Sequence, residues 1–160
     1  AEKRAMLASK VEDMINTVVR QIAFYSFERK IHTQRRNGEL TADDISAAWM
    51  SVQGESLGPA IELKPGYETF WAYIPHFIHS PFYVYAYAFG DCLVNSLYAV
   101  YEKADQGFAQ RYLAMLSAGG TRHHADLLAP FGLDARDPAF WRGGLGVIAR
   151  LIDELEAMED

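Results

Sequence analysis

The chain has 160 residues, of which half are hydrophobic and 22% are charged. This length is enough for one domain with its own core, and the composition argues against intrinsic disorder. With 15 basic and 21 acidic side chains the net charge is -6, which argues against a phosphate-binding surface and so against nucleic acid as a partner. The single cysteine, Cys92, permits no internal disulfide and suits a reducing compartment, so we expect a cytoplasmic protein.

The chain begins at Ala1 without an initiator methionine or a signal-type apolar run, and we therefore expect a piece of a longer protein. Its most apolar stretch, residues 82–97, is interrupted by Gly90, Asp91 and Asn95. That stretch is too short and too polar to cross a bilayer. We expect it to be buried in protein, and we expect no membrane partner.

Residues 2 to about 36 predict one long amphipathic helix. Apolar residues recur there at steps of three and four, and no glycine or proline interrupts them. Asn37-Gly38 then ends the helix, and Thr41 followed by Asp44 is a capping-box variant that starts a second helix running to about Glu55. Because the connection is short, the two helices should be antiparallel neighbours.

A connection rich in glycine and proline follows, from Gly54 to Gly66, and leads into the aromatic run Tyr67-Glu68-Thr69-Phe70-Trp71. Pro75 breaks the chain again just before His76. An irregular connection of this length is more often functional than accidental, although a short helix around Phe70 would shorten it.

Ser80-Pro81 predicts the N-cap and first position of a third helix, which runs to about Lys103. This helix is apolar on nearly every face, a pattern typical of the centre of a bundle. Tyr83, Tyr85 and Tyr87 alternate with a period of two, which a strand would also give. We prefer the helix because the apolar pattern continues for about six turns.

Three more helices complete the predicted fold. The fourth runs from about Asp105 to Ser117, the fifth is capped by Thr121 and ends before Pro130, and the sixth opens at Asp137-Pro138 and reaches Glu154-Leu155-Glu156. No segment favours a strand convincingly. The predicted fold class is therefore all-α, a multi-helix bundle in which residues 1–160 form a single helical domain or fragment.

The five histidines do not predict a metal site within this chain. No H-E-x-x-H motif occurs, and the pairs His76/His79 and His123/His124 lack the nearby glutamate or cysteine that would complete a zinc site. Adjacent histidines on a helix also point about 100° apart. The run Gly143-Gly144-Leu145-Gly146 has no preceding strand, so it indicates close helix packing and not a dinucleotide motif.

The segment from Tyr73 to Tyr87 is the strongest candidate for chemistry. It places His76 on a proline-bounded loop that leads directly into a run carrying Tyr83, Tyr85 and Tyr87. Imidazole and phenol groups both donate hydrogen bonds that stabilise a developing oxyanion. Aromatic residues on a buried helix more often belong to the core, so from the residues alone both interpretations stay open.

Five blocks of sequence carry a resemblance to a known family. They are NTVVRQIAFYSFERKIH at residues 16–32, GELTADDISAAWMSVQGESLGP at 38–59, FWAYIPHFIHSPFYVYAYAFG at 70–90, LSAGG at 116–120 and DLLAPFGLD at 126–134. In this order they resemble the zinc metallopeptidases that include oligoendopeptidase F and thimet oligopeptidase. The third block is the most specific, and the similarity is closer to oligoendopeptidase F.

The resemblance implies an all-α peptidase that acts on short peptides. It also implies a catalytic zinc held by an H-E-x-x-H helix and by a glutamate on the following helix. Neither is present here, since in the family both precede the segment that this chain resembles. The chain is thus expected to be a C-terminal portion whose zinc lies in an N-terminal remainder, and alone it should hydrolyse nothing.

The resemblance also assigns roles within the third block. In the family, a histidine and tyrosines of this block bind the substrate backbone and the oxyanion of the tetrahedral intermediate. His76 matches the histidine and Tyr85 is the first choice for the tyrosine, so these two are the expected catalytic residues. Tyr83 and Tyr87 follow as substrate-binding residues, because residues 77–82 align with or without a one-residue gap.

A second hypothesis belongs to a different class of protein: a non-catalytic all-α interaction or assembly module, in which the aromatic helix is core or a dimer interface. Apolar surface left exposed without an N-terminal remainder would drive homo-oligomer formation, so self-association alone does not separate the two hypotheses. An H-E-x-x-H motif upstream in the gene would favour the peptidase.

Overall fold

A computed structural model describes residues 2–104 and 106–158. Helices account for most of them, and no β-strand forms within these two ranges, so the chain is all-α as its sequence pattern predicts. The described residues divide into two compact units. Residues 15–89 form the central unit, and residues 2–14 together with those from Gly90 onward form the terminal unit. The expectation of a single domain or fragment stays a prediction.

The helices are, in chain order, α1 (Glu2–Ile15), a π-helix (Asn16–Arg20), α2 (Gln21–Arg35), α3 (Ala42–Leu57), a 3-10 helix (Tyr67–Tyr73), α4 (His76–His79), α5 (Tyr85–Tyr101), α6 (Phe108–Ala118), α7 (His124–Leu128), a second 3-10 helix (Ala129–Phe131) and α8 (Pro138–Glu156). The first three follow one another without a break, so the predicted long helix forms and contains one π-helical segment. Within the described ranges, none of these helices combines the length and apolar character that a bilayer crossing requires.

In the central unit, α2 and α3 pack against each other across a short turn. The predicted capping box starts α3, because the Asp44 N–H donates to the Thr41 hydroxyl and the Thr41 N–H donates to the Asp44 carboxylate. Phe24 and Phe27 of α2 pack on Trp49 of α3, with ring centroids 5.7 and 5.2 Å apart. Phe27 and Trp49 are fully buried, so this contact lies at the centre of the unit's core.

The first 3-10 helix covers this core. The Trp49 indole N–H donates to the Tyr67 carbonyl at 3.0 Å, and the Trp71 indole N–H donates to the Ser46 hydroxyl at 3.1 Å. Ile74, just after the helix, is buried. A short helix around Phe70 therefore does shorten the irregular connection, and it fixes the chain where the candidate segment begins.

In the terminal unit, α8 packs closely on the part of α5 that belongs to that unit. A Cβ atom on Gly144 would lie 2.7 Å from the Cys92 carbonyl oxygen and 3.0 Å from Ser96 Oγ. The buried Ser96 hydroxyl donates to the Phe140 carbonyl at 2.8 Å. At Gly144 the interpretation of the glycine run as close helix packing is therefore confirmed.

The third predicted helix begins later than expected. It starts at Tyr85 and not at Pro81, because Phe82 has a φ of 63° and donates its N–H to the carboxylate of Glu28. A right-handed helix cannot pass through a residue with that φ. The helix is also not enclosed on every face, since Val94 and Tyr101 are 59% and 58% exposed.

Two further helix starts differ from the sequence prediction. Thr121 does not cap α7, because its hydroxyl donates to the Ala118 carbonyl; the N-cap is His123, whose ring nitrogen accepts the Ala125 N–H. The fourth predicted helix begins at Phe108 after a left-handed glycine, and its predicted start at Asp105 lies outside the described residues. The start of the last helix at Pro138, with Asp137 as N-cap, is confirmed.

Candidate substrate-binding site

His76 stands at the first position of α4, a single helical turn where the sequence predicted a loop. The His79 N–H donates to the Pro75 carbonyl at 2.8 Å and closes the turn. The neighbouring Phe77 packs into the aromatic core, with its ring centroid 5.0 Å from that of Phe27. Phe77 thus anchors the turn, and His76 is held partly buried at the edge of the central unit.

His76 meets a phenol across the segment. Its Nε2 lies 3.0 Å from the Tyr87 hydroxyl, and the two rings are perpendicular with centroids 5.6 Å apart. The Tyr83 ring packs edge to face on Tyr87 at 5.5 Å. The structure therefore brings His76, Tyr83 and Tyr87 into one cluster, and both tyrosines remain open to solvent.

Tyr85 lies apart from this cluster. Its ring packs edge to face on Tyr25 of α2, with centroids 6.4 Å apart. Side chains two positions apart on a helix point to nearly opposite sides, which separates Tyr85 from Tyr87. Tyr85 is 52% exposed. The two expected catalytic residues, His76 and Tyr85, are therefore not in contact with each other. His76 contacts Tyr87, and Tyr85 is exposed elsewhere on the same segment.

A buried carboxylate, which the sequence pattern did not single out, lies behind the segment. Glu28 of α2 is 1% exposed, and its Oε1 accepts the Phe82 N–H at 2.7 Å. The Phe82 ring packs on His32, one turn further along α2, with centroids 4.6 Å apart. A signal existed in the sequence, because Glu28 falls on the apolar stripe of Phe24 and Phe27, where a charge requires a partner.

A separate cavity of about 250 Å³ lies within the central unit beside the first 3-10 helix and is lined by Arg20, Gln53 and Tyr67 among others. The Tyr67 hydroxyl donates to Gln53 Oε1 at 3.2 Å. Burial raises the pKa of Tyr67, while the positive charge of Arg20 acts in the opposite direction. Tyr67 is therefore a neutral hydrogen-bond donor at physiological pH.

The described residues do not provide the set of ligands that a zinc ion requires. Among them, no group of three or more histidine, cysteine, aspartate or glutamate side chains is placed to hold a metal. A catalytic zinc site needs three protein ligands. His123 and His124 lie close together, with ring centroids 4.1 Å apart, but the Nδ1 of His123 accepts the Ala125 N–H in the cap of α7.

Comparison with known proteins matches residues 1–147 to peptidase family M3. The chain belongs to this family. The M3 chain is 28% identical over 154 residues to oligopeptidase PepF of Bacillus subtilis, a match that covers 96% of this chain and 23% of that protein. It is also 28% identical over 158 residues to the plasmid oligoendopeptidase F of Lactococcus lactis subsp. cremoris, covering 98% of this chain and 26% of that protein.

A solved structure agrees with these sequence relatives. The crystal structure of oligoendopeptidase-F from Enterococcus faecium superimposes on the M3 chain with a TM-score of 0.86 at 26% identity, covering 96% of this chain and 29% of that chain. The resemblance to oligoendopeptidase F is thereby confirmed. The M3 chain spans about a quarter of the length of the relatives that it matches.

Proposed function

We propose that this M3 chain is the C-terminal, substrate-binding part of a zinc-dependent, cytoplasmic oligoendopeptidase that hydrolyses short peptides. In this proposal an N-terminal remainder carries the zinc with its ligands, and this chain contributes none of them. Family membership supports the peptidase class. The observation that carries the proposal is the cluster of His76 with two exposed phenols, those of Tyr83 and Tyr87, in which His76 Nε2 lies 3.0 Å from the Tyr87 hydroxyl. A third exposed phenol, that of Tyr85, lies on the same segment.

These groups suit the charge that peptide hydrolysis creates. As the scissile carbonyl becomes tetrahedral its oxygen gains negative charge, and neutral N–H and O–H donors stabilise it without adding a cation to the site. We assign this role to His76 and to Tyr85, whose exposed side chain is open to a substrate. Tyr87 orients the imidazole through its hydroxyl, and together with Tyr83 it lines the place where the peptide backbone binds.

Substitutions in the zinc-bearing peptidase that contains this chain test these roles. We expect His76→Ala and Tyr85→Phe each to lower kcat by about 100-fold while the metal content stays unchanged, because each removes one oxyanion donor. Tyr98→Phe is the matched control, since Tyr98 is 49% exposed but lies in the terminal unit. Wild-type kcat in both site variants would exclude the proposal.

Tyr87→Phe tests the assignment of the phenols. Losing one neutral hydrogen bond to His76 is worth about 1 kcal/mol, so we expect kcat to fall by about fivefold. A loss as large as that of Tyr85→Phe would instead give Tyr87 the oxyanion role.

The isolated chain provides an independent test. Since its described residues form no metal site, we expect a pure 160-residue sample to bind no stoichiometric zinc in calorimetry and to cleave no peptide. Zinc-dependent hydrolysis by that sample would contradict the division of the active site between this chain and an N-terminal remainder.

One surface favours the assembly module as a second candidate function. The exposed apolar side chains of the terminal unit include five that are 49–61% accessible and lie on α5 and α6: Val94, Tyr98, Tyr101, Leu113 and Leu116. Val94, Tyr98 and Tyr101 line one cavity of this unit together with Phe108 and Tyr112 of α6, and exposed apolar side chains grouped in this way are typical of interaction surfaces. Light scattering of the wild type and of Leu113→Lys tests whether this face forms a homo-oligomer; a wild type that is monomeric at every concentration would exclude it.

A further inference from the structure

We propose that Glu28 is a positioning residue, whose buried carboxylate holds Phe82 in the left-handed conformation that precedes α5 and thereby sets where Tyr83 and Tyr85 stand. The link to catalysis rests on the proposed function, because only there do these tyrosines act on a substrate. The link to backbone conformation rests on the structure of the central unit alone.

The conformation of Phe82 is unusual for its residue type. Among the described residues it is the one non-glycine residue with a positive φ, at 63°. In this region the Cβ atom crowds the backbone, and asparagine or aspartate tolerate it better because their short polar side chains bond locally. Phenylalanine has no such group, so an interaction from elsewhere in the fold has to hold the conformation.

Glu28 provides that interaction. In the 2.7 Å bond from the Phe82 N–H to Glu28 Oε1 the acceptor is a carboxylate whose side chain is 1% exposed, and both features of the acceptor strengthen a hydrogen bond. The two residues are 54 positions apart. The bond therefore ties the start of α5 to α2 directly.

The residues that follow the bond differ in burial. The Phe82 ring packs on His32, and Val84 is fully buried. Tyr83 and Tyr85, which lie between and after them, are 53% and 52% exposed. Phe82 is itself 51% exposed, so fixing its backbone sets the direction of the segment, in which Val84 faces the core and the phenols of Tyr83 and Tyr85 face outward.

The second carboxylate oxygen of Glu28 indicates that this residue positions the segment and does not stabilise the fold. Glu28 Oε2 is buried and has no hydrogen-bond partner among the described residues. Burying a carboxylate that is only half satisfied is unfavourable, and an apolar side chain on this stripe of α2 would pack at less cost. What Glu28 provides and an apolar side chain would not is the hydrogen bond to the Phe82 backbone.

Nuclear magnetic resonance on this chain tests the conformational part. In Glu28→Ala we expect the Phe82 amide to exchange with solvent at least tenfold faster, and its backbone coupling to leave the value for a positive φ. Glu28→Gln keeps an acceptor oxygen and should exchange within about threefold of the wild type. Unchanged exchange and coupling in Glu28→Ala would overturn the proposal.

Kinetics in the zinc-bearing peptidase test the catalytic part. We expect Glu28→Ala to lower kcat by about 10- to 100-fold through misplaced phenols, and Glu28→Gln to restore most of it. Adding Phe82→Gly to Glu28→Ala should recover part of kcat, because glycine adopts a positive φ without a restraint; Phe82→Gly alone is the control. A purely structural role predicts lower thermal stability and no recovery of kcat in the double variant.

The two proposals fail in different ways. Wild-type kcat in Glu28→Ala, in an enzyme where Tyr85→Phe is impaired, overturns the positioning role and leaves the proposed function intact. Unchanged kcat in both His76→Ala and Tyr85→Phe overturns the proposed function, and amide exchange at Phe82 then still decides whether Glu28 holds the segment.

Discussion

Gly144→Ala adds one methyl group where α8 packs closely on α5. The new Cβ would stand 2.7 Å from the Cys92 carbonyl oxygen, 3.0 Å from Ser96 Oγ and 3.2 Å from Cys92 Cα. Two of these three atoms belong to the backbone of α5, which cannot swing aside as the end of a flexible side chain does. The two helices must therefore separate by a few tenths of an ångström to admit the methyl group.

Two opposing effects set the size of the change in the free energy of unfolding. Alanine favours a helix over glycine by about 1 kcal/mol, whereas an extra methyl in a packed interior costs about 1–3 kcal/mol. Gly146→Ala, on the same helix, is the matched control, since a Cβ there has no atom within 4 Å beyond its chain neighbours and the adjacent helix backbone. Subtracting one variant from the other cancels the helix propensity and isolates the steric cost.

Urea unfolding, followed by circular dichroism, measures the difference. We expect Gly146→Ala to be about 0.5–1 kcal/mol more stable than the parent, and Gly144→Ala to be about 1–3 kcal/mol less stable than Gly146→Ala. Equal stability of the two alanine variants at the same m-value would refute the close helix contact at Gly144.

Two further predictions concern the terminal unit. Ser96→Ala removes the buried hydrogen bond from the Ser96 hydroxyl to the Phe140 carbonyl and should lower the free energy of unfolding by about 0.5–1.5 kcal/mol in urea, against less than about 0.5 for the exposed Ser117→Ala; equal losses would contradict it. The Arg136 guanidinium bonds the Asp134 carboxylate and holds its pKa at about 2. Because this folded pKa lies below the unfolded value, the stabilisation is present above about pH 4 and is lost as the pH falls toward 2. Nuclear magnetic resonance titration should show the pKa of Asp134 rising in Arg136→Ala, and an unchanged value would exclude this cause.

Features that depend on near neighbours in the chain were predictable from the sequence. The capping box joins Thr41 and Asp44, which are three positions apart, and the start of α8 needs only Asp137 and Pro138. Each cap is formed by side-chain oxygens that accept from nearby backbone N–H groups, so a sequence pattern is enough to place them. The family was also predictable from the sequence, because the blocks in which this chain resembles it are contiguous.

The start of α5 could not be predicted in this way. Ser80-Pro81 has the local pattern of a helix start, but the backbone at Phe82 is held by Glu28 from 54 positions away. The position of a helix start decides which side chains share a face. The contact of His76 with Tyr87, and the separate place of Tyr85, therefore depend on tertiary structure that a linear pattern does not contain.

Hydrophobicity along α5 was also an incomplete guide to burial. The apolar run predicted a helix enclosed on every face, whereas Val94, Tyr98 and Tyr101 are open to solvent. A sequence pattern reports which side chains avoid water, and it does not report whether this chain itself supplies the surface that covers them.

Because Cys92 lies where α8 packs on α5, the reactivity of its thiol reports how often these two helices separate. The thiol is 2% exposed, and burial together with the negative charge of Asp91 raises its pKa. Because the thiolate is the nucleophile that attacks an alkylating reagent, and the reagent needs access to it, modification has to wait until the two helices part. With one cysteine in the chain, the rate of alkylation measures the frequency of that parting without an added label, and Gly144→Ala should increase it.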